Sequence, residues 1–297
     1  MRYHSFHLTI ESELPLPELT GSDAVGTPDV RIVRGRVPAE GLADGEQKGP
    51  FLWVGNGTLW LRVPDVARFL IRDGKEILVD TEKDADDDSV RVFLLGSAMG
   101  ALLTQRDWLV LHGNAVRVGD HALVCVGDSG TGKSTLATGF MRRGHPVLSD
   151  DLVPIDPDGR ALPGPPRIKL WQDMATQLDI DTRDLRRIRP GLEKFHLPLD
   201  DDRRRVPIPV RWIYVLDTHP GDNITLNPIE GLERFPILHD NSFRLRFIKG
   251  MGRESEHLAQ CAQLAARVRL ARVTRPSDGF SLEGVLDLIL QDAATHP

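Results

Sequence analysis

Residues 127–134 read Gly-Asp-Ser-Gly-Thr-Gly-Lys-Ser and match the pattern G-x-x-x-x-G-K-[ST]. The apolar run Ala122–Val126 precedes this stretch, and a helix is predicted over Ser134–Arg143, before Gly144. In such a setting the glycines let successive backbone N–H groups point at one anion, and the helix N-terminus adds partial positive charge. The stretch therefore predicts a phosphate-binding loop (a P-loop, or Walker A motif) between a strand and a helix of an α/β fold.

The loop residues have defined candidate roles in holding a nucleotide. Lys133 is expected to neutralise oxygens of the β- and γ-phosphates of ATP, and the Ser134 hydroxyl is expected to coordinate Mg²⁺. The candidate ATP-binding residues are Gly127, Asp128, Ser129, Gly130, Thr131, Gly132, Lys133, Ser134 and Thr135.

An acidic doublet, Asp150-Asp151, begins 17 residues after Lys133. The residues Pro146–Leu148 predict a short buried strand that ends at this doublet. A right-handed crossover places that strand beside the strand before the loop, so both end at the edge of the sheet where ligands bind. Taken alone, such a doublet is more often a helix cap or a solvated turn. At this distance from a phosphate-binding loop we interpret it as functional.

A histidine also precedes the loop. His112 stands in the sequence Leu-His-Gly, 15 residues before Gly127. The interval fits a hairpin of two strands, Asn114–Val118 and Ala122–Val126. The residue alone leaves a structural role and a functional role equally open.

The chain is predicted to contain a β-rich N-terminal unit over residues 1–88 and an α/β domain over residues 89–297. Strands are predicted at Tyr3–Ile10, Val30–Val33, Phe51–Val54, Thr58–Val63, Ala67–Arg72, Arg167–Leu170, Arg211–Leu216 and Ile224–Asn227. Helices besides the one after the loop are predicted at about Ser89–Gln105, Gly231–Leu238, Glu254–Val268 and Ser281–Asp292.

Composition restricts the class of protein. Lys and Arg number 37 against 43 Asp and Glu, giving a formal net charge of −6, which disfavours generic attachment to nucleic acid or anionic lipid. The two cysteines, Cys125 and Cys261, cannot form a disulfide framework or a four-thiolate zinc site. We find neither a secretory signal nor a run of roughly 20 apolar residues that would predict a membrane helix. We therefore expect a soluble, cytoplasmic protein.

Four elements between residues 111 and 151 together resemble the catalytic domain of bacterial HPr kinase/phosphorylase. They are Leu-His-Gly at 111–113, the loop at 127–134, Arg-Gly-His at 143–145 and the doublet at 150–151. The resemblance implies that Asp150 acts on the acceptor hydroxyl and that His112 pairs with it. It also implies that Lys133 and Ser134 hold the nucleotide and the metal. Asp151 would be either a metal ligand or a local hydrogen-bond acceptor.

Softer motifs resemble one branch of that family, the HPr-kinase-like serine kinases found with lasso-peptide biosynthesis genes. These motifs lie at residues 14–19, 93–103, 167–171 and 194–198. The branch implies transfer of the γ-phosphoryl group of ATP to a serine, typically the C-terminal one, of a precursor peptide. Because HPr kinases assemble as hexamers, it also makes a homo-oligomer reasonable. The candidate substrate-binding residues are Arg167, Lys169, Lys194 and His196.

Two alternatives stay open at the level of sequence. One is a bifunctional HPr kinase/phosphorylase. That family carries a Leu-Glu-[Ile/Val]-Arg-Gly signature after the doublet, whereas this chain has Pro-Arg-Ile-Lys-Leu-Trp at 166–171, which lacks the acidic residue. The other is a nucleotide-binding regulatory module without transfer activity.

Several residues cannot be ranked from the sequence. The basic runs at 186–189 and 203–205 fit a solvated face better than a binding site for an acidic peptide tail. Two tryptophans, Trp171 and Trp212, fit a core or an interface better than nucleotide stacking. Further candidates for lining the site are Ser242, Arg244, Arg246 and Arg253.

Overall fold

Alternating apolar side chains near the N-terminus form a nine-stranded sheet in the computed structural model, which describes residues 1–55, 57–199, 206–279 and 281–296. The strands are β1 (Arg2–Ser5), β2 (Leu8–Ser12), β3 (Thr20–Gly21), β4 (Val30–Arg34), β5 (Glu46–Gly49), β6 (Leu52–Gly55), β7 (Thr58–Val63), β8 (Ala67–Arg72) and β9 (Glu76–Thr81). Their order is β3-β1-β2-β4-β9-β8-β7-β6-β5, with parallel pairing only at β2–β4 and β4–β9 among the described residues.

The predicted strands of this region are confirmed, with one break. Strands β7 and β8 have the predicted bounds, but the stretch predicted as one strand over Tyr3–Ile10 is a hairpin. Phe6 and His7, with φ of 53° and 60°, form its turn. Strands β5 and β9 were not predicted from the sequence.

A continuous helical segment packs on this sheet. It consists of α1 (Asp87–Phe93), a π-helical turn (Leu94–Ala98) and α2 (Met99–Gln105), which confirms the predicted helix. Asp86 caps it, because its carboxylate accepts a hydrogen bond of 2.7 Å from the Ser89 N–H. The apolar side of the segment joins the N-terminal sheet in one hydrophobic core. The boundary proposed at residues 88 and 89 falls within α1 and stays a prediction.

A seven-stranded sheet carries the glycine-rich loop. Its strands are β10 (Leu109–Val118), β11 (His121–Gly127), β12 (Val147–Ile155), β13 (Arg160–Ala161), β16 (Ile208–His219), β17 (Thr225–Pro228) and β18 (Arg269–Pro276). The order is β11-β10-β12-β13-β16-β18-β17, and β11 also pairs with β16, so five of the strands form a closed circuit of pairings. The molecule is therefore a mixed α/β protein with several sheets.

Parallel pairing at the centre of this sheet creates the edge on which the loop stands. Strand β11 runs parallel to β16, with Gly127 opposite Leu216, and β16 runs parallel to β18, with Leu216 opposite Val273. Their carboxyl ends therefore meet at one edge. Helix α3 (Lys133–Arg142) follows the loop, as predicted.

The strand of the acidic doublet differs from the prediction in two respects. Strand β12 continues through the doublet to Ile155 instead of ending there, and it pairs antiparallel with β10 instead of lying beside β11. The hairpin of β10 and β11 is confirmed, so β10 lies between β11 and β12. Because both flanking strands are antiparallel to β10, they run in the same direction, and the doublet still reaches the edge that carries the loop.

The remaining elements surround this sheet. They are the two-stranded ribbon β14 (Arg167–Trp171) and β15 (Lys194–Pro198), a 3₁₀ turn (Gly231–Glu233), and the helices α4 (Gln172–Gln177), α5 (Arg234–Asp240), α6 (Leu245–Gly250), α7 (Glu254–Arg267) and α8 (Leu282–Thr295). Strands β15 and β18 were not predicted as strands. None of the helices in the described ranges combines the length and the apolar character that crossing a membrane requires.

Candidate active site

The loop between β11 and α3 turns through three glycines with positive φ. These are Gly127, Gly130 and Gly132, with φ of 139°, 91° and 97°. A Cβ atom on Gly127 would lie 2.4 Å from the backbone oxygen of Leu216, so any larger residue would push the loop away from β16. Glycine at position 127 is required both by the backbone conformation and by this close approach.

Lys133 spans the loop from its C-terminal end. Its Nζ donates hydrogen bonds of 2.7 Å to the Gly127 oxygen and 2.8 Å to the Asp128 oxygen. Burial lowers the pKa of this lysine, and the negative charge of Asp150 is the largest opposing influence. The loop therefore surrounds an ammonium group whose present partners are neutral carbonyls, which a phosphate oxygen could replace.

Asn114, on β10, fixes the start of α3. Its Nδ2 donates a 2.6 Å hydrogen bond to the Lys133 oxygen, and the residue has no exposed surface. No hydrogen-bond partner for its Oδ1 exists among the described residues. The sequence analysis gave Asn114 no role, although a polar side chain within an apolar strand was the available signal.

The doublet meets the loop through Ser134 and Asp150. The Ser134 hydroxyl donates a 3.1 Å hydrogen bond to Oδ1 of Asp150, and the backbone N–H of Lys169 donates one of 2.9 Å to Oδ2. Burial raises the pKa of Asp150, although the bond from Lys169 opposes the shift. A hydroxyl and a carboxylate oxygen are thus in contact at the start of α3.

The side chain of Asp151 lies on the same side of the sheet as that of Asp150, because Asp151 departs from strand geometry. Its φ of 77° interrupts the alternation that would otherwise send neighbouring side chains to opposite faces. Oδ2 lies 2.6 Å from Nζ of Lys169, and Oδ1 lies 3.5 Å from Nδ1 of His112. Burial raises the pKa of Asp151, but the charge and hydrogen bond of Lys169 outweigh it and hold this pKa well below the usual value.

His112 contacts Asp151, not Asp150. Its Nδ1 lies 3.1 Å from the Asp151 backbone oxygen, which assigns the ring proton to Nδ1. Burial lowers the pKa of His112 in spite of the negative charge of Asp151, so the ring is neutral at pH 7. The pairing of His112 with Asp150 that the resemblance implied is therefore wrong in this structure, because β12 turns Asp151 toward β10.

Two of the four predicted substrate-binding residues reach the site. Lys169 and Lys194 line the cleft beside the loop, and burial lowers the pKa of Lys194. Arg167 and His196 line neither this cleft nor the smaller cavity described below. Burial lowers the pKa of Arg167 to about 10 and, reinforced by the positive charge of Arg167, that of His196 to about 2. Arg167 is buried and His196 is half-buried, and both lie outside the linings of the two cavities.

The cleft beside the loop has a volume of about 1190 Å³ and is lined by the loop, the doublet, β14, α4 and the segment from β18 to α8. A second cavity of about 390 Å³ lies against it. The two share four lining residues: His112, Ser129, Asp151 and Lys169. Asp150 lines the large cleft only, whereas Asp151 stands where the two meet.

Two residues that were not expected there, and one candidate that was left unranked, also line these spaces. Arg275 lies against the loop, with Nε 3.3 Å from the Thr131 oxygen. Trp171 is 46% exposed in the cleft, and the ammonium of Lys194 lies 5.1 Å from the centre of its ring. Arg244 lines the second cavity. The sequence favoured a core or interface position for Trp171, did not rank Arg244 and gave no signal for Arg275, because β18 was not predicted.

Other candidates have roles elsewhere. Arg186 pairs with Asp88 and Glu18, away from the cleft, and the basic run at 203–205 lies outside the described residues. Ser242 lines the second cavity, whereas Arg246 and Arg253 line neither space. The described ranges contain no group of three or more His, Cys, Asp or Glu side chains placed to hold a metal ion.

Comparison with known proteins gives little beyond these observations. No family model matches the chain, and no curated protein matches it. Among solved structures, the Hpr(Ser) kinase/phosphatase from Coxiella burnetii is similar to 63% of this chain over 97% of its own, at 12% identity and a TM-score of 0.31. The proposals below therefore rest on the residues of this chain.

Proposed function

We propose that the protein is an ATP- and Mg²⁺-dependent kinase that transfers the γ-phosphoryl group to a serine hydroxyl. The observation that carries the proposal is the 3.1 Å contact between Ser134 and Asp150, at the end of a glycine-rich loop that contains a half-buried lysine. In nucleoside triphosphatases with this loop, the serine and an aspartate from a neighbouring strand hold the metal of the nucleotide.

The large cleft is the proposed nucleotide site. Its volume of about 1190 Å³ exceeds the roughly 300–1,000 Å³ of ordinary ligand pockets, which leaves room for a triphosphate. The ammonium of Lys133 would exchange its carbonyl partners for phosphate oxygens, which carry charge and form stronger hydrogen bonds. Arg275 supplies a second cation beside the loop.

The oxygen atoms at the start of α3 fit Mg²⁺. This ion prefers oxygen ligands and is usually bound through one or two carboxylates together with substrate phosphates. Ser134 and Asp150 would hold it, and when bound it neutralises charge on the phosphate oxygens. The sequence resemblance left Asp151 open as either a metal ligand or a local hydrogen-bond acceptor. We assign Asp150 instead, because the Oδ2 atom of Asp151 is paired with Lys169 and the Oδ1 atom of Asp150 contacts Ser134.

Asp151 and His112 are assigned to the acceptor, since both stand where the two cavities meet. Asp151 would accept a hydrogen bond from the serine hydroxyl and so orient its oxygen. That oxygen forms a bond to the γ-phosphorus, the bond from this phosphorus to the β–γ bridging oxygen breaks, and ADP leaves with the electron pair. The hydroxyl proton passes to Asp151. Because such transition states are loose, orientation matters more than the strength of the base.

The identity of the acceptor rests on the sequence resemblance alone. It points to the C-terminal serine of a lasso-peptide precursor, which would be a separate peptide or small protein. One alternative is a bifunctional enzyme that phosphorylates HPr and reverses that reaction by phosphorolysis. The other is a regulatory module that binds a nucleotide and phosphorylates no acceptor. The segment at 166–171 favours the kinase over the phosphorylase, because the acid of the family signature is missing there and Lys169 stands nearby.

The proposal is tested by incubating the protein with Mg²⁺ and ATP labelled on the γ-phosphate, together with peptides that end in serine. Phosphoserine on a peptide supports it. Label on HPr that is released by inorganic phosphate supports the bifunctional enzyme, and nucleotide binding without transfer to any acceptor supports the regulatory module. A Lys133→Ala variant is the negative control.

A further inference from the structure

The smaller cavity has the form of a second substrate site. Phe93, Gly96 and Ser97 of the helical segment form one wall, and the residues from 240 to 244 form the other. Glycine and serine on the π-helical turn leave space that larger side chains would fill. The cavity ends at Asp151 and His112, the residues we assign to the acceptor hydroxyl.

The second wall is held rigidly against β10. The Asn241 oxygen accepts a 2.8 Å hydrogen bond from the His112 N–H, and the Phe243 N–H donates one of 2.7 Å to the Val110 oxygen. The side chain of Phe243 is buried in the core that joins the N-terminal sheet to the helical segment. The next residue, Arg244, is therefore fixed relative to His112.

Arg244 has two unusual properties. Its φ of 50° is in the left-handed region, which a residue other than glycine rarely adopts unless its surroundings hold it there. Its guanidinium lies 5.4 Å and 5.6 Å from the ring centres of Phe243 and Phe247, and its Nε is buried with no hydrogen-bond partner in the described part of the chain. A charged group that is partly buried without a partner is costly, so an anion that accepts from the other N–H groups of this guanidinium in the cavity would be stabilised.

The cavity does not supply that acceptor itself. Of the three carboxylates that line it, Asp151 is paired with Lys169, Asp240 lies 2.9 Å from Nδ1 of His239, and Asp128 forms no ion pair with Arg244 in the described part of the chain. Arg244 lines the smaller cavity and not the large cleft. Its ligand therefore belongs to a molecule in the smaller cavity and not to the nucleotide in the cleft.

We propose that the acceptor enters the smaller cavity, where Arg244 binds a carboxylate of the acceptor close to the serine that is phosphorylated. This inference rests on the proposed function. A guanidinium presents two parallel N–H groups that match the two oxygens of a carboxylate. That carboxylate is either the C-terminus of a peptide that ends in serine or an acidic side chain beside the serine. Both sources have the same chemistry, and an experiment separates them.

The test uses the full chain with Mg²⁺ and a non-hydrolysable ATP analogue, and three fluorescein-labelled pools of degenerate hexapeptides. One pool ends in serine with a free carboxylate, the second ends in serine amide, and the third carries Ser-Asp followed by a C-terminal amide. Fluorescence anisotropy gives the dissociation constant of each pool. We expect the free acid, the Ser-Asp pool or both to bind at least about tenfold more tightly than the serine amide, as for loss of a charged hydrogen bond.

The variants assign this preference to one residue. Arg244→Gln should reduce the ratio to about one, and Arg244→Gly should do the same without straining the backbone, because glycine adopts positive φ readily. The matched control is Arg246→Gln, a neighbouring exposed arginine that lines neither space and should keep the ratio. Equal binding of all three pools, absence of binding, or a ratio that survives in both Arg244 variants would overturn the proposal.

The same pools, incubated with ATP, separate this proposal from the proposed function. A carboxylate preference without phosphoserine means that the kinase assignment fails and the Arg244 assignment stands. If phosphoserine forms equally on all pools and their binding does not differ, the Arg244 assignment fails and the kinase assignment stands.

Discussion

The ammonium of Lys169 lies 2.6 Å from Oδ2 of Asp151, while the backbone N–H of the same lysine binds Asp150. One residue of β14 thus contacts both members of the acidic doublet, through its side chain for one and its backbone for the other. Two adjacent half-buried carboxylates repel each other, and the ammonium of Lys169, between β14 and β12, offsets that repulsion for Asp151. This contact explains why the pKa of Asp151 is lowered while that of Asp150 is raised.

Replacing Lys169 by methionine should therefore shift the pH dependence of transfer. Burial would still raise the pKa of Asp151, but the charge that lowers it would be gone, so this pKa should rise. Because Asp151 must be ionised to accept the serine proton, the acid side of the kcat/KM profile should move to higher pH. Profiles measured from pH 3 to 9 check this, with Lys75→Met, an exposed lysine in the turn between β8 and β9, as control. An unmoved profile would mean that Asp151 does not titrate in the reaction.

Lys133→Ala should abolish transfer and weaken ATP binding by about tenfold to a hundredfold, the range for losing a hydrogen bond to a charged group. The lysine also bridges the Gly127 and Asp128 oxygens, so the free loop should become less ordered as well. Calorimetric titration with ATP and Mg²⁺ measures the affinity. If the variant bound ATP as tightly as the unmodified protein, the loop would not be the phosphate site.

Asp150→Asn and Asp151→Asn should differ in their dependence on Mg²⁺. Asp150 contacts Ser134, so its loss should raise the Mg²⁺ concentration needed for half-maximal rate, by about tenfold. Its nucleotide affinity without metal should stay within a few fold. Asp151→Asn should lower kcat at every Mg²⁺ concentration. The opposite pattern would restore the assignment implied by the resemblance, with Asp150 acting on the hydroxyl and Asp151 on the metal.

The sequence predicted the elements whose signal is local. The loop, its flanking strand and helix, the β10–β11 hairpin and the helix near residues 89–105 all follow from glycine placement, apolar periodicity and capping. Spacing also indicated that the doublet approaches the loop, and the Ser134–Asp150 contact agrees with it. The doublet does not reach the loop because β12 lies beside β11, as predicted. It does so because β10 lies between β11 and β12, so that both run in the same direction toward one edge.

What the sequence missed depends on contacts between distant segments or on a single backbone angle. His112 contacts Asp151 because this aspartate has a positive φ. The spacing of apolar residues in the sequence does not reveal that backbone angle. Arg167 and His196 have residue types suited to a site, yet packing leaves Arg167 buried and His196 half-buried, and neither lines the two cavities. Arg275 reaches the loop because β18 pairs in parallel with β16, and that strand was not predicted.

Arg275→Gln tests the residue that only the tertiary structure reveals. Its guanidinium lies against the loop, where Nε is 3.3 Å from the Thr131 oxygen, and burial lowers its pKa without making it neutral near pH 7. Removing this cation should raise the dissociation constant of ATP more than that of AMP, because the β- and γ-phosphates carry the additional charge. We expect a change of about tenfold for ATP and less than about twofold for AMP, as for the loss of one charged hydrogen bond. The control is Arg267→Gln on the exposed side of α7, and titration calorimetry with both nucleotides measures the difference. An equal loss for ATP and AMP would show that Arg275 supports the loop structurally and does not contact the phosphates.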